Sequence, residues 1–211
     1  MTLRLRTADG GLVEVPIAAR RPLTVGVELT GDIASDLRRV VRADVIRRAA
    51  DHHRAVARVV TLSEPDPTLI ALAAATNCRP LVVETLRPDV AIGEADALIA
   101  RIPVAVGVPL PELSGLDLRH ALLGGAVDEV ARWQHLVAEW AESPSKPMCA
   151  EYVERAYAGA DDDVDTATLI AVLREVEVDP DLPPGCKFEM FAHLDTFVGL
   201  DLTADVGLPP L

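Results

Sequence analysis

Short runs of alternating and continuous apolar residues fill the first part of the chain. Residues 2–6 and 12–17 flank a DGG turn at 9–11, and this pattern predicts a β-hairpin. Longer apolar runs follow, of the kind that strands show when both faces of a parallel sheet are buried. These runs predict buried strands at 23–29, 55–62, 80–86 and 102–108.

Helical periodicity occupies the intervals between these strands. The longest predicted helix follows Asp32, a suitable N-cap. Its apolar stripe consists of Ile33, Leu37, Val40 or Val41, Val45 and Ala49. Shorter helices are predicted at 65–77 and 93–101. The alternation predicts an α/β fold with a Rossmann-like, mostly parallel, doubly wound sheet behind the N-terminal hairpin.

The pattern becomes purely helical after residue 115. Prolines, glycines and acidic residues separate the helical segments. We predict helices at 117–142, 147–159, 164–177 and 187–199. In the last one, Phe188, Phe191, Leu194 and Val198 share a face that closes the core. We therefore expect two units: an α/β module at 1–115 and an α-helical bundle module at 116–211.

Charge distinguishes the two halves more sharply than hydropathy. The net charge is −13; residues 1–111 hold 14 basic and 13 acidic residues, and residues 112–211 hold 6 basic and 20 acidic. Phosphate backbones are repelled by anionic surfaces, so we do not expect tRNA binding. No apolar run is long enough for a membrane span. The three cysteines are widely spaced, which is typical of free thiols, and we expect a cytoplasmic protein without membrane contact.

Two passages of the second half carry a family pattern. They are LDLRHALLGG at 116–125 and the stretch from AYAGADDDVDT to TFVGLDL at 156–202. Both resemble the helical region that follows the catalytic domain of cysteinyl-tRNA synthetases and of their paralogue, the cysteine ligase of mycothiol biosynthesis. The family's Asp-rich pattern is filled here by Asp162, Asp163, Asp165 and Thr166. DVIRRAADH at 44–52 resembles the helix after the family's first strand.

The catalytic motifs of that family are missing. The place of the ATP-binding HIGH motif reads IASD at 33–36, and the place of the first zinc-binding cysteine holds Gly26. No lysine of a KMSKS-like loop precedes residue 116 within the run 99–115. A helix N-terminus binds phosphate through free N–H groups, whereas Asp32 and Asp36 would cap this helix and repel a triphosphate. We therefore expect no cofactor and no metal, and we assign no catalytic residue.

The resemblance thus implies a synthetase-like protein that has lost its chemistry. We interpret the chain as a non-catalytic binding or partner protein, which forms a homodimer or a complex with a protein partner; a small-molecule ligand is also possible. One alternative is an ATP-independent enzyme that transfers an aminoacyl or other acyl group in the residual cleft. Another is a tRNA-binding accessory factor, against which the acidic half argues.

Two sets of residues are candidates for a binding surface. Parallel α/β sheets bind ligands at the carboxyl ends of their strands. The residues that would line this cleft are Gly26, Glu28, Thr30, Asp32, Glu84 and Arg87. The second set is a basic face on the first long helix. It comprises Arg38, Arg39, Arg42, Arg47 and Arg48. This face meets RNA, a nucleotide phosphate or an acidic partner. Otherwise it is a solvated face that pairs with nearby carboxylates, or it docks on the acidic half of its own chain.

Three local features have both a structural and a chemical interpretation. His52 and His53 complement a helix C-terminus or belong to a catalytic or metal site. The acidic loop DDDVD at 161–165 caps a helix or binds a divalent cation. Cys78 is a nucleophile only if a base lies beside it. We favour the structural interpretation in each case.

Overall fold

The computed structural model describes residues 3–6, 11–15, 22–84, 88–92, 115–126 and 128–208. These residues form a mixed α/β structure with seven helices, a three-stranded parallel sheet and an antiparallel strand pair. The predicted helix at 93–101 and the predicted strand at 102–108 lie outside the described residues. The predicted boundary at residue 115 also adjoins that segment, and it stays a prediction.

The N-terminal hairpin is present and is attached to the second half of the chain. Strands β1 (Arg4–Arg6) and β2 (Leu12–Glu14) pair antiparallel, with Leu5 opposite Val13. The backbone amide of Asp163 donates to the Arg4 carbonyl at 2.9 Å, and Asp163 accepts from the Arg6 amide at 2.8 Å. The hairpin therefore packs against the acidic loop at 161–165.

The parallel sheet is built around one buried strand. Strand β3 (Leu23–Val27) lies between β4 (Ala57–Thr61) and β5 (Val90–Ile92), and both neighbours are parallel to it. Of the predicted strand at 80–86, the structure describes residues 80–84, and there Val83 forms a parallel bridge beside Thr61.

Strand β5 was not predicted, because three residues are too short for a recognisable pattern. Its register is set just before it begins, at Asp89. The Asp89 amide donates to the Thr24 carbonyl at 2.9 Å, and the Asp89 carboxylate accepts from the Thr24 amide at 2.8 Å. This exchange places β5 beside β3.

Seven helices surround and follow the sheet. They are α1 (Ile33–His52), α2 (Pro67–Ala75), α3 (Gly115–Leu122), α4 (Glu129–Ala141), α5 (Ala150–Asp161), α6 (Thr166–Val178) and α7 (Pro184–Val198). The predicted N-cap Asp32 is confirmed, because it accepts from the Ser35 amide. In the acidic loop, where Asp163 and Asp165 were both candidates for a cap, Asp165 accepts from the Thr168 amide. Helix α1 packs on β3 and β4, and it also contacts α7.

The prediction of one helix over 117–142 is wrong, because the chain turns between α3 and α4. Gly124 has a φ of 92°, a backbone conformation that favours glycine. Gly125 lies against the His120 ring, where a Cβ would come within 2.0 Å of Nε2. The two glycines therefore end α3 and allow α4 to begin in a new direction.

A single apolar core joins the two halves. It includes Val25 and Leu37 from the first half and Trp133, Phe191 and Phe197 from the second. Phe191 packs edge-on against Trp133, with ring centroids 5.6 Å apart. Phe197 is also buried, and it faces His52 at 4.9 Å. The last helix thus packs its aromatic side chains both within the helical half and against α1.

Candidate functional site

The amino end of α1 is occupied by the protein's own carboxylates. Asp36 is buried, and its Oδ1 accepts from the amide and the hydroxyl of Thr30, both at 2.8 Å. Its Oδ2 accepts from the Gly31 amide at 2.9 Å. Hydrogen bonds from Ser35 hold the pKa of Asp32 below its ordinary value. The donors that a phosphate would use after β3 therefore already have anionic partners.

The predicted cleft residues lie at one edge of the sheet but do not form one surface. Glu28, Thr30 and Asp32 are exposed. Gly26 is buried under the chain that leads to β5, where a Cβ would come within 2.7 Å of Pro88 Cγ.

Glu84 and Arg87 are the remaining members of the predicted cleft. The Glu84 amide donates to the Thr61 carbonyl, which places Glu84 at the same sheet edge. Its carboxylate is engaged by Arg58. Arg87 lies outside the described residues.

The predicted basic face is not an open surface. Arg39 and Arg42 are buried, and Arg38 is half-buried. Arg39 Nη1 donates to the Glu28 carbonyl at 2.8 Å. Arg42 Nη2 donates to Asp163 Oδ1 at 2.9 Å. The arginines of this face thus bind groups of their own chain, and Arg42 docks on the acidic half.

Asp44 is the centre of a buried ion network. Its Oδ1 accepts from Arg47 Nη2 at 2.8 Å, and its Oδ2 accepts from Arg48 Nε at 2.7 Å and from Arg119 Nη2 at 2.9 Å. Burial alone would raise the pKa of Asp44, but the three guanidinium groups outweigh burial and lower that pKa. Asp44 therefore remains ionised inside the protein.

Arg119 extends this network to two other helix ends. It is fully buried; its Nη1 donates to the Thr76 carbonyl after α2 at 2.9 Å, and its Nε donates to the Val198 carbonyl at the end of α7 at 2.5 Å. Guanidinium groups complement the negative end of a helix dipole. The network thus fixes α1, α2, α3 and α7 to one another.

A pocket of about 660 Å³ opens beside this network, at the carboxyl end of α1. Its charged and titratable lining residues are Arg47, Arg48, Asp51, His52, Cys78 and Arg79. Helix α1 returns from the carboxyl end of β3 to the amino end of β4. The pocket therefore lies at the amino edge of the parallel sheet, opposite the edge where the sequence predicted a cleft.

A topological signal for this pocket is present in the sequence. In a strand–helix–strand repeat, the carboxyl ends of consecutive helices lie at the same sheet edge. DHHR at 51–54 and TNCRP at 76–80 are two such ends, and both contain basic residues. Arg47 and Arg48 were identified as cationic candidates, but they were assigned to a helix face and not to this end.

Cys78 does not have the surroundings of a nucleophile. Burial raises the pKa of the Cys78 thiol, although Arg119 Nη1 lies 3.5 Å from Sγ and acts in the opposite direction. Its other hydrogen-bonding contacts are with Thr76. The thiol is therefore protonated at neutral pH and serves as part of the pocket wall.

The acidic loop at 161–165 is used for internal contacts. Asp161 Oδ1 lies 2.5 Å from His53 Nε2, Asp162 pairs with Arg4 at 3.3 Å, and Asp163 binds Arg42. Across the described ranges, no group of histidine, cysteine and acidic side chains has the geometry of a metal site. The loop thus joins the hairpin and α1 to the helical half.

Histidines gather where α1, α5 and α7 meet. The His52 ring packs 4.3 Å from Tyr157, and the Tyr157 hydroxyl hydrogen-bonds His193 Nε2 at 2.5 Å. Burial lowers the pKa of His52, and the nearby His53 and His193 lower it further. Burial also lowers the pKa of His193. No sequence pattern could reveal this cluster, because its members come from three helices.

Comparison with known proteins provides no relative for this chain. No family model matches it, and neither the curated proteins nor the solved structures contain a significant match. In the part of the chain that the structure describes, no helix has both the length and the hydropathy for crossing a membrane. The resemblance to cysteinyl-tRNA synthetases therefore rests on the quoted motifs alone.

Proposed function

We propose that this protein is a non-catalytic binding protein of synthetase-like ancestry. The observation that carries the proposal is the position of Asp36, whose buried carboxylate holds the Thr30 and Gly31 amides. In a nucleotide-binding α/β protein, amides at this place receive the phosphates. Here they have an anionic partner that belongs to the chain.

Electrostatic repulsion is a second argument against a nucleotide at this position. A nucleoside triphosphate at the start of α1 would approach both Asp32 and Asp36 without a lysine beside them. Like charges repel, and Arg39, whose Nη1 lies 3.7 Å from Asp36 Oδ1, offsets only part of this repulsion. Binding of ATP at this position is therefore disfavoured twice, through occupied donors and through repulsion.

The order of the strands supports the ancestry. Val83 bridges to β4, β4 pairs with β3, and β3 pairs with β5. The resulting sequence of neighbours is the one that a Rossmann-like sheet has at its centre. A Rossmann-like core, a helical bundle, and assembly as a homodimer or with a protein partner remain parts of this proposal.

The decisive experiment is an assay of ATP–pyrophosphate exchange with cysteine. We expect no exchange above the blank and no thermal shift with Mg·ATP. A cysteine-dependent exchange would overturn the proposal. The variant Asp36→Asn, with Asp66→Asn as the control, localises any exchange that is found, because Asp66 also accepts from a backbone amide near the start of a helix but belongs to α2.

A further inference from the structure

We propose that the pocket at the carboxyl end of α1 binds a small organic molecule through an oxyanion group, a phosphate or a carboxylate. This inference rests on the proposed binding function and names its ligand class. It places the ligand at the amino edge of the sheet, away from the carboxylates that occupy the amino end of α1.

The first argument is local charge. Four guanidinium groups lie in or directly behind the pocket wall: Arg47, Arg48, Arg79 and Arg119. The carboxylates that pair with them are Asp44 and Asp51. Cationic charge thus exceeds anionic charge in this pocket, although the chain as a whole carries −13. A concave surface with an excess of one charge concentrates ligands of the opposite charge.

The second argument is that hydrogen-bond donors remain available. The Arg79 side chain is 63% exposed, and its nearest carboxylate atom, Asp51 Oδ2, is 3.9 Å away, beyond hydrogen-bond distance. The ring nitrogens of His52 have no hydrogen-bond partner among the described residues. An oxyanion between these two side chains would supply the missing acceptors.

The third argument is preorganisation. Arg47 donates through Nε, Nη1 and Nη2 to Asp44 and Asp51. Arg48 donates through Nε to Asp44, and through Nη1 and Nη2 to the carbonyls of Thr196 and Asn77. A guanidinium has five N–H groups, so both arginines are held in place while some N–H groups stay free. Guanidinium groups fixed in this way bind the paired oxygens of phosphate or carboxylate with little loss of side-chain entropy.

The size of the pocket indicates more than a lone ion. Its volume of about 660 Å³ lies in the range of about 300–1,000 Å³ that small-molecule sites occupy. Pro80 and the protonated Cys78 provide less polar wall beside the arginines. We therefore expect an organic body in contact with this wall and an oxyanion group at the arginines.

The test is calorimetric titration of the full chain with sodium phosphate and, separately, with sodium succinate. Sodium chloride at matched ionic strength is the reference. We expect saturable binding of at least one anion, weakened about tenfold or more in Arg79→Ala, because a charge-assisted contact is lost. Arg155→Ala is the matched control, since Arg155 is a half-exposed arginine that pairs with Glu175 in the helical half.

Each outcome decides the inference. Binding of phosphate alone assigns a phosphorylated ligand, binding of succinate alone assigns a carboxylate, and binding of both assigns a general oxyanion site. Heats equal to those of sodium chloride overturn the inference, as does equal affinity in wild type and Arg79→Ala. Neither negative result affects the exchange assay, which probes the opposite sheet edge, so the two proposals fail separately.

Discussion

The two ends of helix α1 differ in the sign of the charged side chains that the protein places there. At the amino end, Asp32 and Asp36 neutralise free backbone amides. At the carboxyl end, Arg47 and Arg48 gather around Asp44 and leave an excess of positive charge. The first end is closed to an anion and the second is open to one. A ligand-binding edge therefore cannot be assigned from strand direction alone; the charges that the chain supplies at each edge decide it.

The largest effect is expected for Asp44→Ala, which removes the centre of the network at the carboxyl end. Three guanidinium groups would lose their common acceptor, two of them buried. Breaking one side of a buried ion pair costs about 3–5 kcal/mol. We expect urea denaturation to show a loss of that size. Asp51→Ala is the comparison: its carboxylate is 41% exposed, and a loss as large as that of Asp44→Ala would contradict the network's buried centre.

A smaller loss of stability is expected for Asp163→Ala, which removes the partner of Arg42 in the middle of α1. The substitution leaves Arg42 buried without its carboxylate and removes the acceptor of the Arg6 amide. We expect a loss of about 3 kcal/mol in urea denaturation. The neighbouring Asp162→Ala breaks a half-exposed pair with Arg4 and should cost under about 1 kcal/mol. Equal losses for the two variants would show that Arg42 does not depend on Asp163.

Removal of the Asp36 carboxylate at the amino end of α1 should lower the free energy of unfolding by less than Asp44→Ala or Asp163→Ala does. Asp36→Ala leaves the Thr30 and Gly31 amides without their acceptor, and it removes a carboxylate 3.7 Å from Arg39. Arg39 keeps its bond to the Glu28 carbonyl, so we expect the cost of the unpaired amides, about 1–2 kcal/mol. Thermal denaturation of Asp36→Ala beside Asp66→Ala measures the difference between a buried cap and an exposed one. A smaller loss for Asp36→Ala than for Asp66→Ala would contradict the importance of its burial.

The smallest expected change in stability is the one caused by pH, through the histidines near the carboxyl end of α1. The folded protein lowers the pKa values of His52 and His193, so the unfolded chain binds more protons as the pH falls below the ordinary value of 6.5. Stability should therefore decrease from about pH 7 downward and level off below the lowered pKa values. Asp161 opposes this trend by favouring the charged form of His52.

Urea titrations of the double variant His52→Gln/His193→Gln check this expectation. The free energy of unfolding should depend less on pH in the variant than in the wild type between about pH 7.5 and about pH 5. His135→Gln is the control, because His135 is 74% exposed on α4. An unchanged pH dependence in the double variant would rule out these two histidines as its source.

Local signals predicted much of the fold. The hairpin, strands β3 and β4, helices α5, α6 and α7 and the cap Asp32 follow from apolar period and turn chemistry. The helix over 117–142 was wrong because its apolar period continues through Gly124 and Gly125, and only the backbone conformation there reveals the break. The short β5 depends on the exchange between Asp89 and Thr24, two residues far apart in sequence.

The candidate site was less predictable, for a different reason. Arg39, Arg42 and Arg47 have the spacing of a solvated helix face, yet all three are buried. Arg39 and Arg42 bind a carbonyl and a carboxylate from outside α1, whereas Arg47 pairs with two carboxylates of α1 itself. The pocket residues Arg79 and Thr196 come from different halves of the chain, and helical or strand periodicity does not relate them.

The attachment of the hairpin to the acidic loop affects the order in which the chain folds. Arg6 in β1 hydrogen-bonds Asp163, a partner 157 residues later. During synthesis, Asp163 leaves the ribosome 157 residues after Arg6 does. Contacts of such long sequence separation slow folding. Strand β1 can pair with β2 early, but it should acquire its contacts with the acidic loop late in folding.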